Sequence, residues 1–189
     1  MATPAPSEAR YTAERYFKLV EEGLLGPDDR VELLEGVIVT MAPQSPRHAA
    51  AARRVERALR AAIGERAVIS VQFPFIAGMY SVSEPDVAVV PGQLSDYDRE
   101  HPATALLIVE VADSSLIQDR ITKAPMYAAA SVPEYWLVNL HDDWVEVFRA
   151  PEPEARGYTE RRVTRRGERL DLAAFAGASV VVDDLLPSR

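Results

Sequence analysis

Two carboxylates at the ends of apolar strands are the residues of this chain whose types and positions could carry chemistry. Asp86 opens a predicted strand over 85–90, and Glu110 lies near the end of a second over 104–111. A carboxylate in apolar surroundings is costly unless it is paired, protonated or bound to a cation. If the two strands are neighbours, the side chains form a seat for Mg²⁺ or Mn²⁺, which prefer oxygen ligands.

The carboxylate pair is also compatible with roles that need no metal. Each side chain could be a strand-end residue that is exposed to water or joined to a basic partner. Two carboxylates also serve glycoside hydrolases. A carbohydrate cleft usually shows more exposed aromatic side chains than a chain with 7% aromatic residues offers.

The basic residues are almost all arginine. Lys and Arg together number 21, and the only lysines are Lys18 and Lys123. Lysine has a compact ammonium group whose pKa can shift, whereas arginine stays charged. A lysine that is retained in a chain this rich in arginine indicates a position whose role needs an ammonium group, which arginine cannot provide.

Composition narrows the class of protein. The 189 residues are 48% hydrophobic, which predicts one domain over 11–189 after a flexible N-terminal tail over 1–10. The absence of cysteine excludes disulfides and thiolate metal sites, and no apolar run reaches the roughly 20 residues of a membrane span. We expect a cytoplasmic protein.

The net charge of -8 argues against contact with nucleic acid, because phosphate binding favours clustered lysine and arginine.

Periodicity and turn residues predict the order of elements. The predicted fold class is α/β (α+β), with a mixed central β-sheet flanked by helices. The predicted helices cover 13–22, 46–63 and 118–130. A hairpin is predicted over 31–39, with its turn at Glu35-Gly36, and further strands over 68–75, 85–90, 104–111, 135–140 and 144–149. The segment 151–157 is predicted to be a surface loop, and short strands are predicted over 158–186.

Several short segments carry a resemblance to a known family. They are Glu32-Leu33-Leu34-Glu35-Gly36, His48 after a proline-rich loop, Pro85-Asp86-Val87, Val109-Glu110-Val111, the set Asp119, Lys123 and Tyr127, and Val132-Pro133-Glu134-Tyr135-Trp136. In this order and spacing, over roughly 11–149, the chain resembles the Uma2 family (DUF820). That family is a branch of the PD-(D/E)XK restriction-endonuclease-like superfamily.

The resemblance implies a restriction-endonuclease-like core and a set of site residues. Asp86 and Glu110 would bind the metal, and Lys123 would orient or deprotonate the attacking water. Glu32 would line the same cleft, on a second ion or a bound water. His48 would contact phosphate or donate a proton.

The function expected from the resemblance is a divalent-metal-dependent endonuclease with Mg²⁺ or Mn²⁺ as cofactor and DNA as its substrate. A homodimer would suit the cutting of both strands of a duplex. The alternative is an inactive relative that binds nucleic acid or protein, which the acidic charge favours.

The chain departs from the superfamily at two positions near the site. Ala112 stands where the superfamily usually has a lysine two residues after the glutamate, and Pro125 follows Lys123 within a predicted helix, where proline causes a kink or a later start.

Other charged residues have simpler explanations than a role in the site. Asp119 and Lys123 could also form an ordinary surface ion pair. Arg53, Arg57 and Arg60 share a helix face and are candidate contacts to a phosphate backbone, although such groups are more often solvated.

Overall fold

The N-terminal elements follow local capping and turn signals. The structure is a computed structural model, and it describes residues 10–26 and 28–188. Helix α1 (Ala13–Glu21) is capped by Thr12, whose hydroxyl accepts from the Arg15 N–H. The predicted tail over 1–10 lies, apart from Arg10, outside the described residues.

A tight hairpin follows α1. Strands β1 (Val31–Leu34) and β2 (Val37–Thr40) are antiparallel, as predicted. Glu35 and Gly36, with φ of 52° and 84°, form the two-residue turn, which requires positive φ at both positions. Gly36 has a second constraint, since an added Cβ would lie 2.5 Å from the Cβ of Arg10.

Helix α2 (Pro46–Ile63) begins and ends where the sequence predicts. The Ser45 hydroxyl accepts from the His48 N–H, Pro46 occupies the first turn, and Gly64 terminates the helix with φ of 58°. Its buried side chains form one stripe: Ala51, Ala52, Val55, Leu59 and Ile63.

The single strand predicted over 68–75 is wrong. The structure has β3 (Val68–Ser70) and β4 (Phe75–Ile76), which join different sheets. Gln72 between them has φ of 55°, and its N–H donates to the carbonyl of Pro85. Because the left-handed conformation reverses the chain direction locally, one continuous strand cannot pass through this residue.

The middle of the chain builds the strands of the central sheet. Strands β5 (Val82–Ser83), β6 (Val87–Val90) and β7 (Leu107–Ala112) follow, with a short 3₁₀ turn at Leu94–Tyr97 between the last two. Every residue of β6 and β7 is buried, as is typical of such apolar strands in the interior of a sheet.

The predicted helix over 118–130 begins earlier and is not uniform. It consists of α3 (Leu116–Gln118), a π-helical segment (Asp119–Lys123) and α4 (Ala124–Ala129). The Ala124 N–H donates to the carbonyl of Asp119, five residues back. Pro125 lies just after this wider turn, which relieves the clash that its ring would make with a preceding carbonyl in an ordinary helix.

The C-terminal third adds an antiparallel hairpin and a small sheet. Its elements are β8 (Glu134–Asn139), β9 (Trp144–Glu152), β10 (Gly157–Arg165), β11 (Arg169–Asp171), β12 (Ser179–Val181) and α5 (Val182–Leu185). The predicted loop over 151–157 is wrong at both ends, because the cross-strand hydrogen bonds continue to Glu152 and Gly157 and leave only a four-residue turn.

The predicted mixed central sheet is confirmed. It has six strands in the order β10-β9-β8-β7-β6-β3, of which only β7 and β8 are parallel. A four-stranded antiparallel sheet, β2-β1-β5-β4, lies beside it, and β11 pairs with β12. No helix in the described part of the chain has the length and apolar character needed to cross a bilayer.

Side-chain alternation on β6 and β7 separates two cores. One face packs under α2, through Val87, Val89, Leu107, Val109 and Val111. The other face carries Ala88, Val90 and Ile108 and packs against α4 and Leu34 of β1. Any residue in phase with Ile108 on β7 therefore points toward β1 and α4, and Glu110 is such a residue.

A buried ion-pair network anchors the π-helical segment to the sheet. Glu146 of β9 is fully buried, and its Oε1 accepts from Nε of Arg120 at 3.1 Å, while its Oε2 accepts from Arg161 at 2.8 Å. Burial alone raises the pKa of Glu146, but the hydrogen bonds and charges of the two arginines outweigh that effect and lower it below the ordinary 4.5.

The Glu146 network predicts a pH-dependent loss of stability. A lowered pKa means that the carboxylate stabilises the fold above pH 4.5 and that this contribution is lost as the pH falls through the folded-state pKa. Glu146→Gln should lower the free energy of unfolding by about 1.5–3 kcal/mol at pH 7. Urea denaturation should show this difference shrinking below pH 4.5. Glu160→Gln, at an exposed position of β10, is the control, and a difference independent of pH would contradict the assignment.

Candidate active site

The strand register places Asp86 and Glu110 side by side. Val87 pairs with Val109 in the antiparallel β6–β7 ladder, so the preceding Asp86 lies opposite Glu110. Opposite residues of an antiparallel pair project from the same face of the sheet. The Asp86 N–H lies 3.5 Å from Oε2 of Glu110, and the Val111 N–H donates to Oδ2 of Asp86 at 2.8 Å. The two strands are therefore neighbours, as the sequence predicted.

Glu110 uses one of its oxygens for internal contacts. Its Oε1 accepts from Lys123 Nζ at 2.9 Å and from the Tyr127 hydroxyl at 2.7 Å. Tyr127 is held in turn by Ser83, 3.1 Å away. The only contact of Oε2 among the described residues is the long one to the Asp86 N–H, which leaves this oxygen able to accept a further ligand.

Asp86 is oriented by side chains from two other elements. Nε2 of His48, in the first turn of α2, lies 3.1 Å from Oδ2 of Asp86, and Gln72 donates to Oδ1 at 3.3 Å. The Nδ1 atom of His48 is buried and has no hydrogen-bond partner among the described residues. Asp86 thus lies at the end of the sheet, where α2 on one face and the Gln72 turn can both reach it.

Lys123 joins the two sheets through carboxylates. Its Nζ donates to Oε1 of Glu32 at 3.0 Å as well as to Glu110, and the same Glu32 oxygen accepts from the Glu84 N–H at 2.8 Å. Glu32 is 3% exposed and Lys123 6% exposed. Both side chains are therefore buried. A charge at this depth requires a partner of opposite sign, which each residue supplies to the other.

Negative charge exceeds positive charge in this group of residues. Burial raises the pKa of Glu110 to about 8, although the Lys123 ammonium acts to lower it. Burial likewise raises the pKa of Asp119 to about 6. Burial alone lowers the pKa of Lys123, but the charges of Glu110, Glu32 and Asp119 outweigh it and raise the pKa above that of a free lysine. The direction of this shift favours the ammonium form of Lys123, which suits orienting a water molecule more than deprotonating it.

These side chains line a cleft that is open to solvent. Its volume is about 150 Å³. The polar side chains on its wall are Arg30, Glu32, Thr40, Gln44, Ser45, His48, Glu84, Asp86, Glu110, Asp113, Ser114, Ser115, Gln118, Asp119 and Lys123. Ser115 donates to Asp119 at 2.5 Å and Ser45 to Asp113 at the same distance.

The oxygen ligands at the cleft suit a hard cation that takes only some of its ligands from the protein. Among the described residues no three histidine, aspartate or glutamate side chains are grouped closely enough to hold a metal by themselves. Mg²⁺ is usually bound through one or two carboxylates and keeps water or substrate phosphate as its other ligands. Asp86 and Glu110 supply two carboxylates on one wall, in a region of excess negative charge.

Comparison with known proteins identifies the family. The family model Uma2, described as "Putative restriction endonuclease", matches residues 13–183. The chain belongs to the Uma2 family. The search of curated proteins found no significant match.

A solved structure shares the fold of this Uma2 chain. It is described as a "putative nuclease belonging to DUF820" from Anabaena variabilis ATCC 29413. The TM-score is 0.73 at 18% sequence identity, over 92% of this chain and 96% of that one. At this identity the likeness establishes a shared nuclease-like fold.

The Uma2 chain brings all five predicted catalytic positions onto the cleft wall. They are Glu32, His48, Asp86, Glu110 and Lys123. Their chemical roles stay predictions. The alternative of a surface ion pair between Asp119 and Lys123 is excluded, because both residues are buried and the ammonium binds Glu32 and Glu110. The arginines predicted to contact a phosphate backbone do not line the cleft; they are Arg53, Arg57 and Arg60.

Three supporting residues were not assigned to the site from the sequence. Tyr127 is fully buried among core residues, and its hydroxyl also orients Glu110. Its spacing of four residues from Lys123 was the available signal. Ser83 and Gln72 gave none, because they reach the site through a short strand and a left-handed turn that lack a sequence signature.

The two lysines of this Uma2 chain provide a matched test of the buried ammonium. Lys123→Met should lower the free energy of unfolding by about 3–5 kcal/mol, since it leaves Glu32 and Glu110 buried without the positive charge that pairs with them. Lys18→Met should change it by less than about 0.5 kcal/mol, because Lys18 has a side chain 61% exposed. Urea denaturation measures both. Equal effects of the two substitutions would show that the ammonium does not stabilise the site.

Proposed function

We propose that this Uma2 chain is a divalent-metal-dependent endonuclease that hydrolyses phosphodiester bonds, with DNA as its substrate. Membership of the family supports nuclease chemistry in general terms. The observation that carries the finer proposal is the convergence of Asp86, Glu110 and Lys123 on one open cleft. This arrangement combines acidic ligands with a fixed positive charge, and phosphoryl chemistry needs both.

The carboxylates would hold Mg²⁺ or Mn²⁺ at the cleft wall. Asp86 and Glu110 would be the protein ligands, each with an oxygen that has only one long contact among the described residues, at 3.3 Å and 3.5 Å. When bound, the ion would supply Lewis-acid polarisation of the scissile phosphate. His48 and the Val111 N–H fix the orientation of Asp86, while Tyr127 does the same for Glu110.

Lys123 would act as a fixed positive charge. An ammonium has three donors, and the described contacts use two of them, to Glu32 and Glu110. The remaining N–H can donate to a phosphate oxygen or to the attacking water. Because the ammonium is already anchored, it can stabilise developing negative charge without reorganising.

His48 would assist beside Asp86 by contacting phosphate or donating a proton. Burial acts to lower the pKa of His48, but the hydrogen bond and the charge of Asp86 outweigh burial and raise it. A protonated imidazole at the cleft wall would attract phosphate. This role rests on its contact with Asp86 and its place in the cleft lining.

A second candidate function is a nuclease-fold module that binds nucleic acid or protein without cleaving. The net charge of -8 and the short side chain of Ala112 after Glu110 favour it. The net charge counts less against cleavage if cations are bound, because they neutralise local carboxylates. The missing strand lysine also counts less, since Lys123 delivers an ammonium to Glu110 from a helix. A homodimer and phosphate contacts by the α2 arginines stay predictions.

Plasmid cleavage tests the proposed function. With Mg²⁺ or Mn²⁺ the chain should nick or linearise plasmid DNA, and EDTA should stop the reaction. Asp86→Asn should reduce the rate by at least about 100-fold, because it removes a ligand charge while keeping the shape of the side chain. Asp98→Asn, at an exposed position outside the cleft, is the control. Full activity of the Asp86 variant would end the proposal.

Melting temperature separates the two candidate functions. A cation that binds only the folded chain stabilises it by mass action. Mn²⁺ should therefore raise the melting temperature of the unmodified chain and of Asp98→Asn but not of Asp86→Asn. DNA binding without any metal-induced shift and without cleavage would favour the non-catalytic module.

A further inference from the structure

The position between Glu32 and Glu110 is already taken by a cation of the protein itself. Lys123 Nζ contacts Oε1 of Glu32 at 3.0 Å and Oε1 of Glu110 at 2.9 Å. A Mg²⁺ ion bound to both oxygens would lie at about 2.0–2.1 Å from each. Ion and ammonium would then overlap, so the position holds one or the other.

The remaining contacts of Glu110 reinforce this division. Oε1 also accepts from the Tyr127 hydroxyl at 2.7 Å, so two donors already share this oxygen. Oε2 has only the 3.5 Å contact to the Asp86 N–H among the described residues. Glu110 therefore presents one oxygen to the lysine side of the site and the other to Asp86.

Lys123 cannot easily give up this position. It lies at the end of the π-helical segment, immediately before the proline-containing α4, and only 6% of its surface is exposed. Moving the ammonium into water would leave Glu32 as a buried carboxylate whose only other described contact is the Glu84 N–H. The cost of an unpaired buried charge opposes such a movement.

We infer that the chain binds a single divalent ion, at Asp86 and Glu110, and that the Lys123 ammonium stands in the place of a second ion between Glu32 and Glu110. The inference rests on the proposed metal site and deepens it. Glu32 is then a positioning residue for Lys123 instead of a ligand of a second ion or of a metal-bound water.

A single-ion site also gives a reason for a lysine to persist in an arginine-rich chain. An ammonium is a compact charge with three donors that point to separate acceptors, whereas guanidinium is a broad planar fork. The gap between Glu32 and Glu110 is spanned by one nitrogen atom. The guanidinium group of an arginine has three nitrogens, and the gap between the two carboxylates is filled by one.

Counting bound Mn²⁺ tests the inference. Electron paramagnetic resonance measures free Mn²⁺ during titration of the full chain, and the stoichiometry follows by difference. We expect one tightly bound ion per chain for the unmodified protein and for Lys18→Met. Lys123→Met should bind two, because the vacated position is flanked by Glu32 and Glu110. The double variant Lys123→Met/Glu32→Gln should return to one.

The outcomes separate this inference from the proposed function. Two ions on the unmodified chain, or one ion on a Lys123→Met variant that melts cooperatively, would overturn the single-ion site while leaving metal dependence intact. No bound ion and no cleavage would overturn both. If Lys123→Met does not fold, Glu32→Gln decides. A lost ion would assign Glu32 as a metal ligand, whereas an unchanged count of one supports the inference.

Discussion

The buried ammonium of Lys123 is the interaction on which the rest of the site depends. It neutralises part of the charge of Glu32 and Glu110, which lie in two different sheets. Without it, two carboxylates would remain deep in a low-dielectric region, at a cost of several kcal/mol. The same contact therefore holds the four-stranded sheet against the central sheet and supplies positive charge to the cleft.

The fold delivers each member of this site by a different structural device. Antiparallel register puts Asp86 beside Glu110, the capped start of α2 brings His48 to the same sheet end, and the π-helical segment turns Lys123 inward. Arg120, which binds Glu146 of β9, holds that segment on the sheet. Stability and site geometry are thus coupled, since the elements that fix the core also fix the charged groups.

Excess negative charge gives the cleft its chemical character. The acidic side chains outnumber the fixed positive charges around them, so a divalent cation would relieve repulsion in the folded chain. This feature also reconciles an acidic protein with a nuclease family, because contact with phosphate would come through bound cations and Lys123. The nuclease-like fold is shared at 18% sequence identity, which indicates that core packing tolerates wide variation in sequence.

Local signals in the sequence determined most elements and the identity of the acidic pair. The start of α2 at Pro46, the Glu35-Gly36 turn and the apolar strand β7 are each encoded within a few residues, and all were predicted. Tertiary structure alone decided the partner of Lys123, because Glu32 lies 91 positions away and neither residue signals the other. It also decided the strand break at Gln72, because a left-handed residue is stabilised there by a hydrogen bond to the distant Pro85 carbonyl. A buried charge is costly unless it is paired, so burial is what makes such long-range contacts necessary. Burial depends on how the whole chain packs, and no short segment of the sequence encodes it.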